Sequence, residues 1–84
     1  MDPQSDEFTY KQGQYLAFID AYVKLNRRAP AESDFQRYFR VSPPTVHNMS
    51  KTLTARQLIE RKPGVARSIT LRIDSDRIPP LDEA

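Results

Sequence analysis

The sequence predicts an α+β fold, a winged helix-turn-helix with three helices and a C-terminal β-hairpin wing over residues 9–73. Three observations carry this. Apolar residues recur at helical spacing after Thr9, a helix start stands at Ser42-Pro43-Pro44, and Ile69, Leu71 and Ile73 alternate with polar residues after a Pro63-Gly64 turn.

The first helix is expected from Thr9, because Thr9 and Gln12 have the spacing of a capping box. Tyr15, Leu16, Ile19, Tyr22 and Val23 fall on its inner side, and Gln14, Ala17, Ala21 and Lys24 lie opposite. The aromatic stripe reads as core. Pro30 disfavours helical geometry at Ala29, so a second helix from about Ala31 to Arg40 follows, burying Phe35, Tyr38 and Phe39. Ser42 is expected to cap the third helix through its hydroxyl, and Pro43 suits the first helical position. That helix is expected over 43–55, with Val46, Met49, Ser50 and Leu53 inward. Pro44, Asn48, Lys51 and Ala55 face outward, flanked by Thr45, His47 and Thr52.

Beyond it, Leu58–Arg61 and Ser68–Ile73 form the wing, with Arg61, Lys62 and Arg67 near its tip. Residues 1–8 are polar and expected to be disordered. Residues 74–84 carry four acids and Pro79-Pro80 and read as an acidic disordered tail.

A chain of 84 residues holds one domain with one modest core. Cysteine is absent, which excludes a disulfide framework, a thiolate zinc site and a cysteine nucleophile. His47 is the one histidine and has no clustered ligand residues beside it, so neither a metal nor another cofactor is expected. No nucleophile–base pair stands out, and Gly13 and Gly64 are too far apart to cradle a phosphate. The chain therefore reads as a non-enzyme without a small-molecule substrate. With no signal-peptide pattern and no apolar run of spanning length, a cytoplasmic protein without membrane contact is expected.

The net charge of +2 conceals an uneven distribution. Residues 27–73 carry ten cations against three anions, net +7, whereas residues 1–26 stand at −2 and residues 74–84 at −3. Such asymmetry points to a polyanionic partner for the middle segment. A helix with small polar residues at its N-terminal end fits the major groove of duplex DNA, and wing cations gain by releasing counterions.

The segments Val41-Ser42-Pro43-Pro44-Thr45-Val46-His47, Leu58-Ile59-Glu60-Arg61 and Pro63-Gly64-Val65-Ala66-Arg67-Ser68-Ile69 resemble the DNA-binding domain of the LexA repressor family. The similarity covers about residues 9–73. It implies double-stranded DNA as the partner, bound by a transcriptional regulator. It further implies base reading by Pro44, Thr45, His47 and Asn48, and phosphate contacts by Ser42, Lys51, Arg56, Arg61, Lys62 and Arg67. Members of that family continue into a self-cleaving protease domain that dimerises them, and these 84 residues are expected to lack both properties. Gln57 stands where the family usually has glycine, at a cost of about 1 kcal/mol if its backbone is left-handed. Pro44 and Asn48 differ from the reading residues of familiar members, so the operator sequence does not transfer.

The rival reading is a protein-interaction winged helix whose basic face is incidental. An exposed apolar patch on the first or third helix would mark it. A lone reading helix covers few base pairs, so useful specificity calls for a homodimer, tandem sites or a partner protein.

Overall fold

Thr9 opens the first helix through both halves of its capping box. Its hydroxyl accepts from the Gln12 amide at 3.2 Å, and its own amide donates to Gln12 Oε1 at 2.9 Å. In this computed structural model, which describes residues 7–82, helix α1 spans Tyr10–Asn26, α2 Glu32–Phe39 and α3 Pro43–Ala55. Strands β1 (Ile59–Glu60) and β2 (Thr70–Leu71) pair antiparallel, Ile59 opposite Leu71, and a 3-10 turn follows at Ser75–Arg77. The arrangement is a winged helix.

The α1–α2 contact is aromatic. Tyr15 stacks on Phe39 at 4.5 Å and on Phe35 at 5.4 Å, while Phe18 tilts against Phe35 and Tyr38, each at 4.9 Å. Such offset and tilted pairs add to the simple burial of ring area. Val46 and Leu53 of α3, with Ile59 and Ile69 of the wing, complete the core. The inner face expected for α3 is therefore borne out, except that Met49 is only half buried.

Helix α1 departs from the expected two-sided pattern. Gln12 to Ile19 are all buried, Gln14 and Ala17 included, whereas Val23 is 39% exposed and Leu25 83% exposed. The cause is the C-terminal segment, which corrects the expectation of a disordered tail. Ile78 and Leu81 pack against the core. The Gln14 carboxamide donates to Pro80 O at 3.0 Å and accepts from the Asp82 amide at 2.8 Å. The Tyr38 hydroxyl donates to Asp82 O at 2.6 Å. Gly13 lets this segment approach, since a Cβ there would stand 3.1 Å from the Pro79 ring and 2.9 Å from the Phe8 ring. Proline also lowers the ordering cost, because its φ is fixed before the segment docks. At the other end, most of the expected disordered N-terminus lies outside the described residues, but Phe8 is buried in the core.

Each helix is followed by a left-handed residue that is not glycine, Arg27 (φ 58°) after α1, Arg40 (φ 56°) after α2 and Gln57 (φ 61°) after α3, and Arg67 (φ 55°) is a fourth in the wing loop. At Gln57 the chain reverses so that Leu58 N–H reaches Leu53 O at 3.0 Å, the bond that closes a helix C-terminus before a change of direction. The wing is shorter than expected, two residue pairs, and its loop is held by Ser68. The Ser68 hydroxyl accepts from the Lys62 amide at 2.9 Å and lies within bonding distance of Val65 O.

Asp34 ties the wing loop to α2. Its carboxylate accepts from the Ala31 amide at 2.8 Å, from Arg37 at 2.6 Å and from Arg67 at 3.2 Å. Arg67 also donates to the Tyr22 hydroxyl and to Ala29 O. Burial by itself would raise the Asp34 carboxyl, but the Ala31 amide, the Tyr22 hydroxyl and the Arg67 and Arg37 charges outweigh it and hold it below the usual range.

The geometry at Gln57 and at Asp34 can be tested by stability measurements. Gln57→Gly relieves a left-handed side chain and is expected to raise the unfolding free energy by about 1 kcal/mol in urea titration. A loss of stability would mean that the Gln57 side chain itself holds the turn. Asp34→Asn keeps an acceptor for Ala31 but removes both ion pairs, with an expected loss of about 2 kcal/mol at neutral pH. Because the folded-state value is depressed, this stabilisation is present above the unfolded carboxyl value of about 3.9 and fades as pH falls toward the folded one. Wild type should thus lose its advantage over the variant in acid, and a difference that stays constant down to about pH 2 contradicts the assignment.

Candidate nucleic-acid interface

Helix α3 is built to present one face. Ser42 is extended (φ −76°, ψ 158°), as a residue before proline must be, and Pro43 and Pro44 then occupy the first two helical positions. The first helical bond is Val46 N–H to Ser42 O at 3.3 Å, and the prolines, having no N–H, add no unsatisfied donor before it. Here the expected side-chain cap is corrected. The Ser42 hydroxyl lies 2.9 Å from the Thr45 hydroxyl and caps no amide. Of the first three helical residues only Thr45 carries an N–H at all, so there is little for a cap to satisfy. The same shortage weakens any anion site made from backbone amides at this end.

The outward face exposes Pro44, Thr45, His47, Asn48 and Lys51, as the helical phase requires. Thr52 turns its hydroxyl back to Asn48 O at 3.0 Å, a local bond that leaves the Asn48 carboxamide uninvolved. Among the described residues, the Asn48 side chain and the Lys51 ammonium have no hydrogen-bond or ion-pair partner.

His47 faces the wing across a cleft of about 350 Å³ shared with Glu32, Arg61 and Lys62. Glu32 stands between them, with one carboxylate oxygen 3.6 Å from His47 Nδ1 and 3.7 Å from Arg61 Nη1. Sequence reasoning had no role for Glu32. Its place at the first position of α2 is legible, but not that α2 and the wing meet there. Lys62 is exposed and its ammonium has no partner among the described residues.

The remaining expected phosphate ligands are less available. Arg56 donates from its guanidinium to Glu7 O at 2.6 Å, at the far end of α3. Arg67 is exposed, but its guanidinium is engaged by Asp34, Tyr22 and Ala29, so it ties the wing loop to α1 and α2 instead of standing free for a phosphate. The tyrosines divide between core and rim, Tyr15 buried, Tyr22 and Tyr38 half buried, and Tyr10 exposed. The described residues hold no cluster of three His, Asp or Glu side chains suited to a metal ion. No helix among them is long and apolar enough to cross a membrane.

No protein-family model matches the chain. A LexA repressor of Petrotoga mobilis is 35% identical over 74 residues, which are 87% of this chain. They amount to 36% of the repressor, so the chain spans about a third of that relative's length. Over most of its length the chain is thus a homologue of a LexA repressor, and the family resemblance drawn from the Val41–His47, Leu58–Arg61 and Pro63–Ile69 segments is borne out.

Proposed function

We propose that this domain binds double-stranded DNA as a sequence-specific transcriptional regulator in the cytoplasm, with α3 in the major groove and the wing along the backbone. The observation that carries the reading is the outward face of α3. Its exposed residues are short or polar, no large apolar side chain stands among them, and the Asn48 amide and Lys51 charge are unengaged among the described residues. A face whose central carboxamide and ammonium have no internal partner among the described residues is suited to the donor and acceptor edges of base pairs. The name of the similar protein, a repressor, agrees with this.

In this reading Thr45, His47 and Asn48 address base edges, and Pro44 offers apolar contact. Lys51, Lys62, Arg61 and Arg56 address phosphates, with Ser42 close by at the helix start. Phosphate binding by Arg61 requires it to leave Glu32, a contact that at 3.7 Å is loose. A homodimer or a partner protein would supply the length of site that one reading helix lacks. The exposed Leu25 and Val23 support the rival reading, a protein-docking winged helix, but they stand on α1 and not on the cationic face.

Binding to duplex DNA should weaken steeply with salt, with a slope of log K against log salt of about −4 or steeper for roughly four or more phosphate contacts. Affinity that is flat in salt would favour the protein-docking reading. Lys62→Ala should reduce the slope by about one without lowering the melting temperature. Arg67→Ala should instead lower the melting temperature by several degrees, because it removes a wing anchor. If Arg67→Ala melts like wild type and changes the slope alone, the anchoring role is wrong.

Asn48→Ala should leave stability within about 0.5 kcal/mol, because the residue is exposed. Its specific binding should weaken by about 1–3 kcal/mol with relaxed preference at one base position, best matched by adenine. Affinity for scrambled duplex should hold, since a neutral side chain releases no counterions. Parallel loss on selected and scrambled DNA would remove Asn48 from the reading set.

A further inference from the structure

The wing occupies only one flank of α3. At roughly 100° per residue, Thr45 and His47 stand roughly 160° apart around the helix, on opposite sides of the outward face. His47 opens onto the wing cleft, whereas Thr45 opens onto a second groove of about 320 Å³ bounded by the start of α1 and the end of α2. Tyr10, Lys11 and Arg40 line that groove with Thr45 and Met49, and Asp82 lies at it as the one acidic residue. Lys11 and Arg40 are exposed, and neither has a hydrogen-bond or ion-pair partner among the described residues. Tyr10 is 68% exposed, an unusual position for an aromatic ring in so small a domain.

Resting on the DNA-binding reading, we propose that Lys11 and Arg40, assisted by Tyr10, form a second backbone-contact site for the DNA strand opposite the one met by the wing. The reason is geometric. A helix with its side chains is about as wide as the major groove, about 12 Å, so both sugar–phosphate walls come close to its two flanks. Arg61 and Lys62 meet one wall. The other faces the Thr45 side, where Lys11 and Arg40 are the cations available. The composition of the groove suits a sugar–phosphate chain: the half-buried Phe39 and Met49 offer apolar surface to deoxyribose, while the two cations and the Tyr10 hydroxyl suit the phosphate oxygens. Asp82 opposes this. Its backbone is fixed by Gln14 and Tyr38, which keeps it beside the groove as a like charge that repels the incoming phosphate.

The test is a salt titration of duplex binding with wild type, a Lys11→Gln/Arg40→Gln double variant and Asp82→Asn, each with its melting temperature. The double variant should lower the slope magnitude by about two and weaken binding in about 0.1 M salt by roughly tenfold to a hundredfold, on selected and scrambled DNA alike. Asp82→Asn should tighten binding by roughly threefold at low salt, a gain that a damaged fold cannot imitate. If wild type binds with a steep slope while the double variant keeps it and Asp82→Asn changes nothing, this second site is wrong and the DNA reading stands. If wild type shows no salt-dependent binding, the DNA reading falls and this site falls with it.

Discussion

Asp34 holds the Ala31 amide, the Arg37 guanidinium and the Arg67 guanidinium on two oxygens, and it does so nearly out of contact with water. An unpaired carboxylate in that position would cost several kcal/mol and would protonate instead. It is tolerated because three donors converge on it and because it lies in the first turn of α2, where the helix dipole favours negative charge. In return it fixes the wing. Arg67 is left-handed (φ 55°), and its guanidinium spans from Asp34 to Tyr22 of α1 and to Ala29 of the connecting turn. The two-pair sheet has little rigidity of its own. The loop from Arg61 to Ile69 takes its position from this arginine, from the Ser68 bonds and from Ile69 in the core, which together supplement the short strand pairing.

Glu32 has a related role at the start of the same helix. It stands two residues before Asp34 and contacts His47 of α3 and Arg61 of the wing. The first turn of α2 therefore carries two acids with different strengths of hold. Asp34 is buried and closely bonded, whereas Glu32 is partly exposed and its contacts are longer than hydrogen bonds. Exposed pairs of that kind contribute little to stability and exchange readily for a better anion. In this way the first turn of α2 holds Arg67 by close hydrogen bonds and Arg61 by a looser contact.

Much of this is legible in the sequence where the cause is local. The Thr9–Gln12 capping box, the limits of α3 and the alternation of Ile69, Leu71 and Ile73 depend on residues within one turn of each other, and each stands as expected. What is not legible depends on distant partners. Gln14 has the pattern of a solvated side of α1 because the chain that covers it lies 66 residues further on. The acids and prolines of the last segment resemble a disordered tail, although Ile78 and Leu81 are enough to dock it. Arg67 has the pattern of a free surface cation because loop position does not reveal its bonds to Asp34, Tyr22 and Ala29. Ser42 departs from expectation for a local reason: two prolines leave a cap almost no amide to bind. The left-handed arginines at 27, 40 and 67 carry no glycine or asparagine signal.

The charge of the middle segment also changes meaning once its partners are known. Of its ten cations, Arg37, Arg61 and Arg67 are paired with Glu32 or Asp34. The net charge is the same whether or not those pairs form, but its location is not. Pairing concentrates two anions beneath three arginines and leaves the unpaired charge on Lys51, Lys62 and Arg40, among others, around the margins of α3. A field arranged at the margins orients a duplex without discriminating between sequences. On the proposed reading, discrimination is then left to the few side chains at the centre, and the proline pair narrows the choice further by removing backbone amides from the first turn. On the proposed DNA-binding reading, the physical division between holding and reading DNA falls between the rim cations and the Thr45–Asn48 turn.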